Sequence, residues 1–200
     1  MKTKIILLST ALLFMVSVSS FAQSDDKDVY KGIRAGWQSS NLFLDGSTDG
    51  STNLSSFYVG IFGEKKLIPL LSFGASLEYS QVGSVASDVD DTKFVMHYVG
   101  VPLYVKVKLG PVFALGGAAA NFKVAESFTL LGEKLNDEDY EALEIEKSNV
   151  FDVPLFLGLG VKILMINIEA RYYWGMLDID KSDAFTLKSQ YFQIGAGISF

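Results

Sequence analysis

The segment Tyr191-Phe-Gln-Ile-Gly-Ala-Gly-Ile-Ser-Phe200 alternates strictly between two kinds of side chain. Successive side chains of an extended strand point to opposite faces, so one face of this segment would be apolar and the other small or polar. A strand with one apolar face that ends on an aromatic residue is typical of the strand that closes a transmembrane β-barrel. The barrel-closing residues that we predict on the apolar face include Phe192, Ile194, Ile198 and Phe200.

Seven further segments show the same two-residue period, so the sequence predicts eight strands. In most of them one face collects Val, Leu, Ile and aromatic residues, while the other collects Gly, Ser and charged residues. The fifth segment is less clear, because its run of small residues obscures the alternation. The predicted segments are 29–38, 57–64, 71–80, 98–108, 111–123, 151–162, 166–176 and 191–200. The residues that we place on the apolar face of the fifth segment are Val112, Ala114, Ala118, Ala120 and Phe122.

The connections between the predicted strands alternate between short and long. The short ones are 65–69, 110–111 and 163–165, and the long polar ones are 39–55, 83–92, 125–149 and 179–189. This alternation is the layout of an up-and-down outer-membrane barrel, which has tight periplasmic turns and larger external loops. A soluble meander has no reason to segregate its loops in this way.

The direction of the apolar face decides between two kinds of barrel. A soluble lipocalin-type barrel also has eight strands, but it packs apolar residues inside. Here the polar face carries small and charged residues, which suit a narrow interior. Aromatic residues such as Trp37, Tyr79 and Trp174 lie near strand ends on the apolar face, as in an interfacial girdle. We therefore predict an all-β fold, an eight-stranded antiparallel up-and-down transmembrane β-barrel in a Gram-negative outer membrane.

The N-terminus has the pattern of an export signal. Two lysines precede the apolar stretch Ile5 to Val18, and Ser20-Phe-Ala22 offers a small-x-small cleavage site. The apolar stretch is too short for a transmembrane helix, which needs about 20 residues. We therefore predict a cleavable signal peptide at 1–22 and a single barrel domain at 23–200.

The composition excludes several kinds of partner and site. The chain has 17 basic and 23 acidic side chains and no basic cluster, which argues against nucleic acid as a partner. It contains no Cys, which excludes disulfides and thiol metal sites. We expect no cofactor and no metal site.

Two internal segments carry a resemblance to a known family. They are Tyr98-Val-Gly-Val-Pro-Leu-Tyr-Val-Lys-Val-Lys108 and Ile168-Glu-Ala-Arg-Tyr-Tyr-Trp-Gly175, and the Gly-rich strand that ends in Phe200 follows them. In order and spacing they resemble the strand motifs of the PorT-like outer-membrane β-barrel domain family, whose members are often described as porin-like. The resemblance covers essentially the whole chain after residue 22. It implies an eight-stranded outer-membrane barrel and no shared catalytic residues.

The polar face of the predicted strands would fill the barrel interior, which in an eight-stranded barrel is just wide enough for side chains. This face carries four acidic and five basic residues, and the near balance indicates ion pairs between strands, because an unpaired buried charge is costly. We expect a structural polar plug, with a narrow ion or water path as the alternative. The predicted interior ion-pair network is Arg34, Glu64, Glu78, Lys106, Lys108, Asp152, Lys162, Glu169 and Arg171.

The long connection 125–149 is strongly acidic. Its acidic residues are consistent with solvated loops that repel aggregation. They are also consistent with a site for a basic extracellular protein, or for divalent cations that bridge to surface lipid. The acidic residues that we single out are Glu133, Asp137, Glu138, Asp139, Glu141 and Glu144.

The single histidine, His97, falls on the outward face of the fourth predicted strand, near the external rim. An outer-membrane lipid hydrolase could use a His–Ser pair there, but the sequence alone does not show whether a serine lies beside His97. We expect an interfacial ring instead. We predict that the protein is not an enzyme and has no catalytic residues.

These observations predict an integral outer-membrane barrel that acts structurally or through its acidic external loops in surface binding. The alternative is a narrow, passive, porin-like channel for ions or small solutes. The expected partners are outer-membrane lipid, the barrel-assembly machinery through the C-terminal strand, and an extracellular protein or a divalent cation at the loops.

Overall fold

The computed structural model describes residues 28–44, 51–86, 91–134, 149–177 and 187–200. In these ranges the chain forms ten β-strands and no helix long and apolar enough to cross a lipid bilayer. The strands are β1 (Val29–Leu44), β2 (Ser51–Ile68), β3 (Leu71–Ala86), β4 (Lys93–Leu109), β5 (Val112–Leu130), β6 (Glu133–Lys134), β7 (Phe151–Asp152), β8 (Pro154–Ile163), β9 (Ile166–Gly175) and β10 (Leu187–Ser199).

The strands close into one antiparallel barrel. Each of β1 to β5 pairs with the next, β5 pairs with β8, and the sheet continues through β9 and β10 back to β1. The short β7 pairs with β5 and precedes β8 with only Val153 between them, so together they form one wall strand. The described residues therefore form an eight-stranded wall, and β6 is a short return strand beside the end of β5. The predicted fold class is confirmed.

The two ends of the barrel differ. Two-residue turns at Pro69–Leu70, Gly110–Pro111 and Leu164–Met165 join β2 to β3, β4 to β5 and β8 to β9. We call this the turn end. At the opposite end, which we call the loop end, the strands are joined by longer connections, parts of which lie outside the described residues. In outer-membrane barrels the turns are periplasmic and the loops external.

Several strands extend further toward the loop end than the sequence predicted. Residues 39–44 and 51–55 belong to β1 and β2, although we predicted them within the loop 39–55. Likewise 125–130 belongs to β5 and not to a loop. Ser, Asn and Thr on both faces remove the hydrophobic alternation there, but backbone pairing continues, for example between Lys93 and Thr129.

The apolar face points outward, as predicted. Ile33, Ile61 and Leu159 are 53%, 48% and 69% exposed, and their neighbours along each strand point into the barrel. The orientation predicted for the fifth strand is also confirmed: Val112 and Phe122 are exposed, while the residues that alternate with them, such as Phe113, Leu115 and Asn121, are buried.

Glycine on the inward face makes room for the large inward side chains. Gly36 and Gly195 lie opposite each other where β1 meets β10, and Tyr58 covers both. A Cβ at Gly195 would lie 2.4 Å from the Tyr58 hydroxyl oxygen, and one at Gly36 would lie 2.7 Å from its ring. Only glycine lets a tyrosine ring lie this close to the wall.

Candidate functional site

The barrel interior holds a network of charges, and Arg171 on β9 is at its centre. Its two terminal nitrogens donate to the two carboxylate oxygens of Glu78 on β3, at 3.0 and 3.2 Å. It also donates to the Tyr173 hydroxyl at 2.8 Å, and its Nε lies 3.4 Å from Glu169. The Arg171 side chain has no exposed surface, so the barrel satisfies its charge internally.

Arg34 on β1 carries the network across the lumen. It donates to Glu169 at 2.8 Å and to the Tyr104 hydroxyl at 2.8 Å, and lies 3.7 Å from Glu78. Its guanidinium group also lies 4.2 Å from the centre of the Phe62 ring. Glu78 and Glu169 therefore each lie between two arginines.

Glu64 on β2 extends the network toward the turn end. It accepts hydrogen bonds from Lys106 and, at 3.1 Å, from the Tyr104 hydroxyl, and Lys108 lies 3.7 Å away. Tyr104 thus links this cluster to Arg34. Hydrogen bonds and ion pairs connect side chains of β1, β2, β3, β4 and β9 across the lumen.

The structure places the other two predicted network residues apart. Asp152 lies nearer the loop end and accepts a hydrogen bond from Ser189 at 2.8 Å. Lys162 lies near the turn end, with its ammonium group 4.9 Å from the centre of the Tyr30 ring. Neither residue forms an ion pair with a described residue in this structure.

A stack of aromatic rings lies next to the charges on the side toward the loop end. Phe156 stacks on Tyr173 at 4.6 Å between ring centres, and Tyr173 stacks on Tyr191 at 4.3 Å. Asn121 donates to the Tyr191 hydroxyl at 3.2 Å. The charged residues of the inward face alone do not reveal this stack. The strand alternation does place all four of these residues inward.

Amides and apolar side chains fill the lumen beyond the stack. Gln193 donates to Gln38 at 2.7 Å, and Gln38 donates to the backbone carbonyl of Gln81 at 2.6 Å. These bonds connect β10, β1 and β3. Met96 and Val82, farther toward the loop end, have no exposed surface.

The charged side chains pack closely against their neighbours in the lumen. A gap beside the network, lined by Arg34, Phe62, Lys106, Asn167, Glu169 and Gly197, is too small for a water molecule. A conducting pore needs a continuous path wide enough for water or an ion. The charged network, the aromatic stack and the glutamines all occupy the lumen.

The outward face near the loop end carries aromatic residues whose polar atoms are hydrogen-bonded. Trp37 donates to Ser55 at 2.6 Å. His97 Nδ1 lies 2.7 Å from the Tyr79 hydroxyl, which also accepts a hydrogen bond from Gln81. The hydrogen-bond partner of His97 is therefore a tyrosine, and no described serine hydroxyl bonds to it. This geometry matches the interfacial ring that we predicted.

The predicted acidic loop lies mostly outside the described residues. Glu133 is exposed on β6. The other five, Asp137, Glu138, Asp139, Glu141 and Glu144, fall outside the described residues.

The predicted barrel-closing residues lie on β10 or directly after it. Ile194, Ile198 and Phe200 are 45%, 48% and 72% exposed on the outer wall, and Phe192 contacts the Trp37 ring edge-on. The strand pairs with β1 from Gly32–Ser199 to Leu44–Leu187.

A family model described as "Outer membrane protein beta-barrel domain" matches residues 21–181. The chain belongs to this family. Its location is accordingly the outer membrane, as predicted from the sequence. None of the curated proteins matches the chain in sequence.

Solved structures of other outer-membrane proteins share the fold. One is Ail, the attachment invasion locus protein of Yersinia pestis, which was solved in complex with the heparin analogue sucrose octasulfate. Ail is 17% identical to this chain, and the TM-score is 0.50 over 86% of this chain and 99% of Ail. Neisserial surface protein A is 16% identical, with a TM-score of 0.53 over 87% of this chain and 98% of that protein. At these identities the similarity shows a common fold.

Proposed function

We propose that this protein is a closed outer-membrane barrel that acts structurally, or in surface binding, through the connections at its loop end. The observation that supports this proposal is the filled lumen. The charged network around Arg171, the aromatic stack and the glutamine layer leave the loop end as the part of the molecule that can meet external ligands. Surface connections on a rigid scaffold are a common location for binding residues.

The proposal predicts small or absent ionic conductance. Purified protein reconstituted in planar lipid bilayers should give no large, stable single-channel steps, because the charges around Arg171 are paired and the gap beside them is too small for water. Folded insertion must be verified in the same preparation, for example by the faster migration of unheated barrel on a gel. Large, stable steps from folded protein would favour the alternative, a narrow passive channel.

The charge at the loop end indicates which ligands fit. Residues 131–149, beyond the end of β5, include seven acidic residues and two lysines, so we propose a basic protein or a divalent cation as the ligand. Ail was solved with a sulfated sugar, which is a polyanion. A polyanion would be repelled by this connection, so we do not extend that ligand to this chain.

Neutralising the acidic connection should abolish cation or basic-protein binding. The variant replaces Asp with Asn and Glu with Gln at residues 137, 138, 139, 141 and 144. Wild-type protein in vesicles should gain thermal stability and resist proteolysis within 126–149 when calcium is added, or should bind cytochrome c, a basic probe, in low salt. The variant should do neither, because these interactions are electrostatic. If wild type responds to neither probe, the acidic residues only keep the loops solvated.

The remaining predictions complete the proposal. The strand motifs at 98–108 and 168–175 support a PorT-like subfamily within the outer-membrane β-barrel domain family. We propose that residues 1–22 are a cleaved export signal, that the assembly machinery recognises the C-terminal strand, and that the protein has no catalytic activity. The tyrosine partner of His97 supports the last point, because a lipid hydrolase of the kind considered would need a serine there.

A further inference from the structure

The turn between β8 and β9 is unusually apolar for a barrel end that would face water. The turn residues Leu164 and Met165 are 89% and 55% exposed. The flanking residues Ile163 of β8 and Ile166 of β9 are 58% and 49% exposed. None of them has a polar side chain. A contiguous apolar surface at a chain reversal indicates a nonaqueous neighbour, because turns in water favour Gly, Asn, Asp and Ser.

The backbone of this turn strengthens that indication. Leu164 has φ of 54°, a left-handed conformation that glycine or asparagine usually adopts in a tight turn. A leucine here accepts backbone strain and exposes nearly its whole side chain. Because the Leu164 side chain is 89% exposed, contacts within the barrel do not offset this backbone strain. A stabilising contact for this side chain must therefore come from outside the barrel.

The polar backbone atoms around the turn end are paired. The Met165 carbonyl accepts a hydrogen bond from the Ser199 amide at 2.8 Å. The carbonyls of Leu70 and Pro111, in the other two turns, accept bonds from Lys108 and Lys162 amides at 2.8 and 2.7 Å. Backbone groups in hydrocarbon must be satisfied internally, and this arrangement meets that requirement for these carbonyls.

The wall above the β8–β9 turn continues the apolar surface. Every outward-facing residue from Leu155 to Ile168 is Leu, Val, Ile or Met. On the adjacent β10, the outward residues from Phe192 to Phe200 are also apolar. By contrast, β1 and β2 carry the lysines Lys31 and Lys65 on their outward faces near the turn end. The turn is therefore continuous with the lipid-facing wall, and exposed apolar side chains such as Ile68, Leu70 and Leu109 flank the other two turns as well.

Strand length places the turn at the periplasmic edge of the hydrocarbon layer. Strands in these barrels tilt by about 40°, so each residue advances about 2.5 Å along the axis. An apolar band about 25 Å tall therefore takes about ten residues. Counting from the interfacial Trp174, the tenth residue along β9 and into the turn is Leu164. The turn therefore lies where the hydrocarbon band ends.

We propose that the β8–β9 turn packs against the acyl chains at the edge of the periplasmic leaflet and does not project into the periplasm. The occupant of the apolar surface is phospholipid hydrocarbon, which already covers the contiguous wall. On this side the barrel then presents no surface for a soluble periplasmic partner.

The absence of cysteine from the chain allows a direct test. Leu164→Cys is labelled with a nitroxide and folded into vesicles of phosphatidylethanolamine and phosphatidylglycerol. The matched control is Leu131→Cys, because Leu131 is also a left-handed leucine in a turn, with φ of 51° and 68% exposure, but lies at the loop end. Electron paramagnetic resonance then measures collisions of each label with oxygen, which dissolves in lipid, and with a water-soluble nickel chelate.

The label at residue 164 should collide mainly with oxygen and the label at residue 131 mainly with the nickel chelate. Equal nickel accessibility at both positions would overturn the proposal, because the turn would then lie in water. Protection of residue 164 from both reagents would also overturn it, since a protein surface would then cover the turn. Each sample is first shown to be folded by its gel migration, and Met165→Cys gives a second label if Leu164→Cys does not fold.

Discussion

Arg171→Met should lower the free energy of unfolding by about 3–5 kcal/mol, the cost of removing one partner of a buried ion pair. Glu78 would lose both of its short hydrogen bonds to Arg171. It would keep a hydrogen bond from Ser76 at 2.9 Å and the more distant Arg34 at 3.7 Å. Those contacts leave most of its charge uncompensated in a site closed to water.

The measurement is urea unfolding of the barrel in vesicles, followed by tryptophan fluorescence. The matched control is Lys108→Met, which should cost less than about 1 kcal/mol because the pair is partly exposed. Glu64 keeps Lys106 in that variant, and the Lys108 side chain is already 22% exposed. If the two variants lost equal stability, Arg171 would not be the centre of the charged network.

A second substitution separates charge from packing. Adding Glu78→Gln to Arg171→Met removes the orphaned charge, so the double variant should recover part of the lost stability. If the loss came only from the missing volume of the arginine, the second change would add to it. The sign of this coupling therefore tests the electrostatic explanation.

The sequence predicted the wall well because lipid and lumen impose opposite demands on alternate residues. In β3, for example, Phe73 and Leu77 face outward, while Ser72, Ser76 and Glu78 are buried inside. This contrast survives even in the Gly- and Ala-rich β5, where Val112 and Phe122 at its ends fix the orientation. The period of two is therefore a strong signal wherever one face meets hydrocarbon.

The same signal failed where the strands leave the hydrocarbon. Residues 39–44 of β1 include polar residues on both faces, so no alternation marks them as a strand. Backbone hydrogen bonds to β10 maintain the pairing as far as Leu44–Leu187. Pairing of this kind depends on the register of a distant strand, which one sequence does not show.

The interior illustrates the same limit. Alternation placed Arg34 and Glu169 on the inward face, but they lie 135 residues apart in sequence and meet only because the barrel closes between β1 and β10. The stagger of the strands also decides that Asp152 and Lys162 fall at different heights from the network. Side-chain identity predicted that the inward charges nearly balance. Predicting which of these residues pair with each other requires the register of the strands.

Leu159→Arg should destabilise the barrel in a bilayer by about 2–4 kcal/mol, the cost of an arginine on the lipid face at the membrane midplane. Leu159 is 69% exposed on β8 and pairs with Ala170. It lies four residues from Leu155, which pairs with the interfacial Trp174, and five from Leu164 in the opposite turn. This position is therefore close to the centre of the apolar band.

Leu131→Arg is the matched control, because Leu131 is 68% exposed in a turn at the loop end. Substitution of an exposed residue in water usually changes stability by less than about 0.5 kcal/mol. Leu159 and Leu131 are almost equally exposed, yet only the Leu159→Arg variant should lose much stability. Urea titration in vesicles measures the stability of both variants. If Leu159→Arg were as well tolerated as the control, water would surround the wall and the apolar face would not be a membrane surface. A large loss at Leu159 alone follows only if hydrocarbon covers β8, since no packing inside the barrel depends on that side chain.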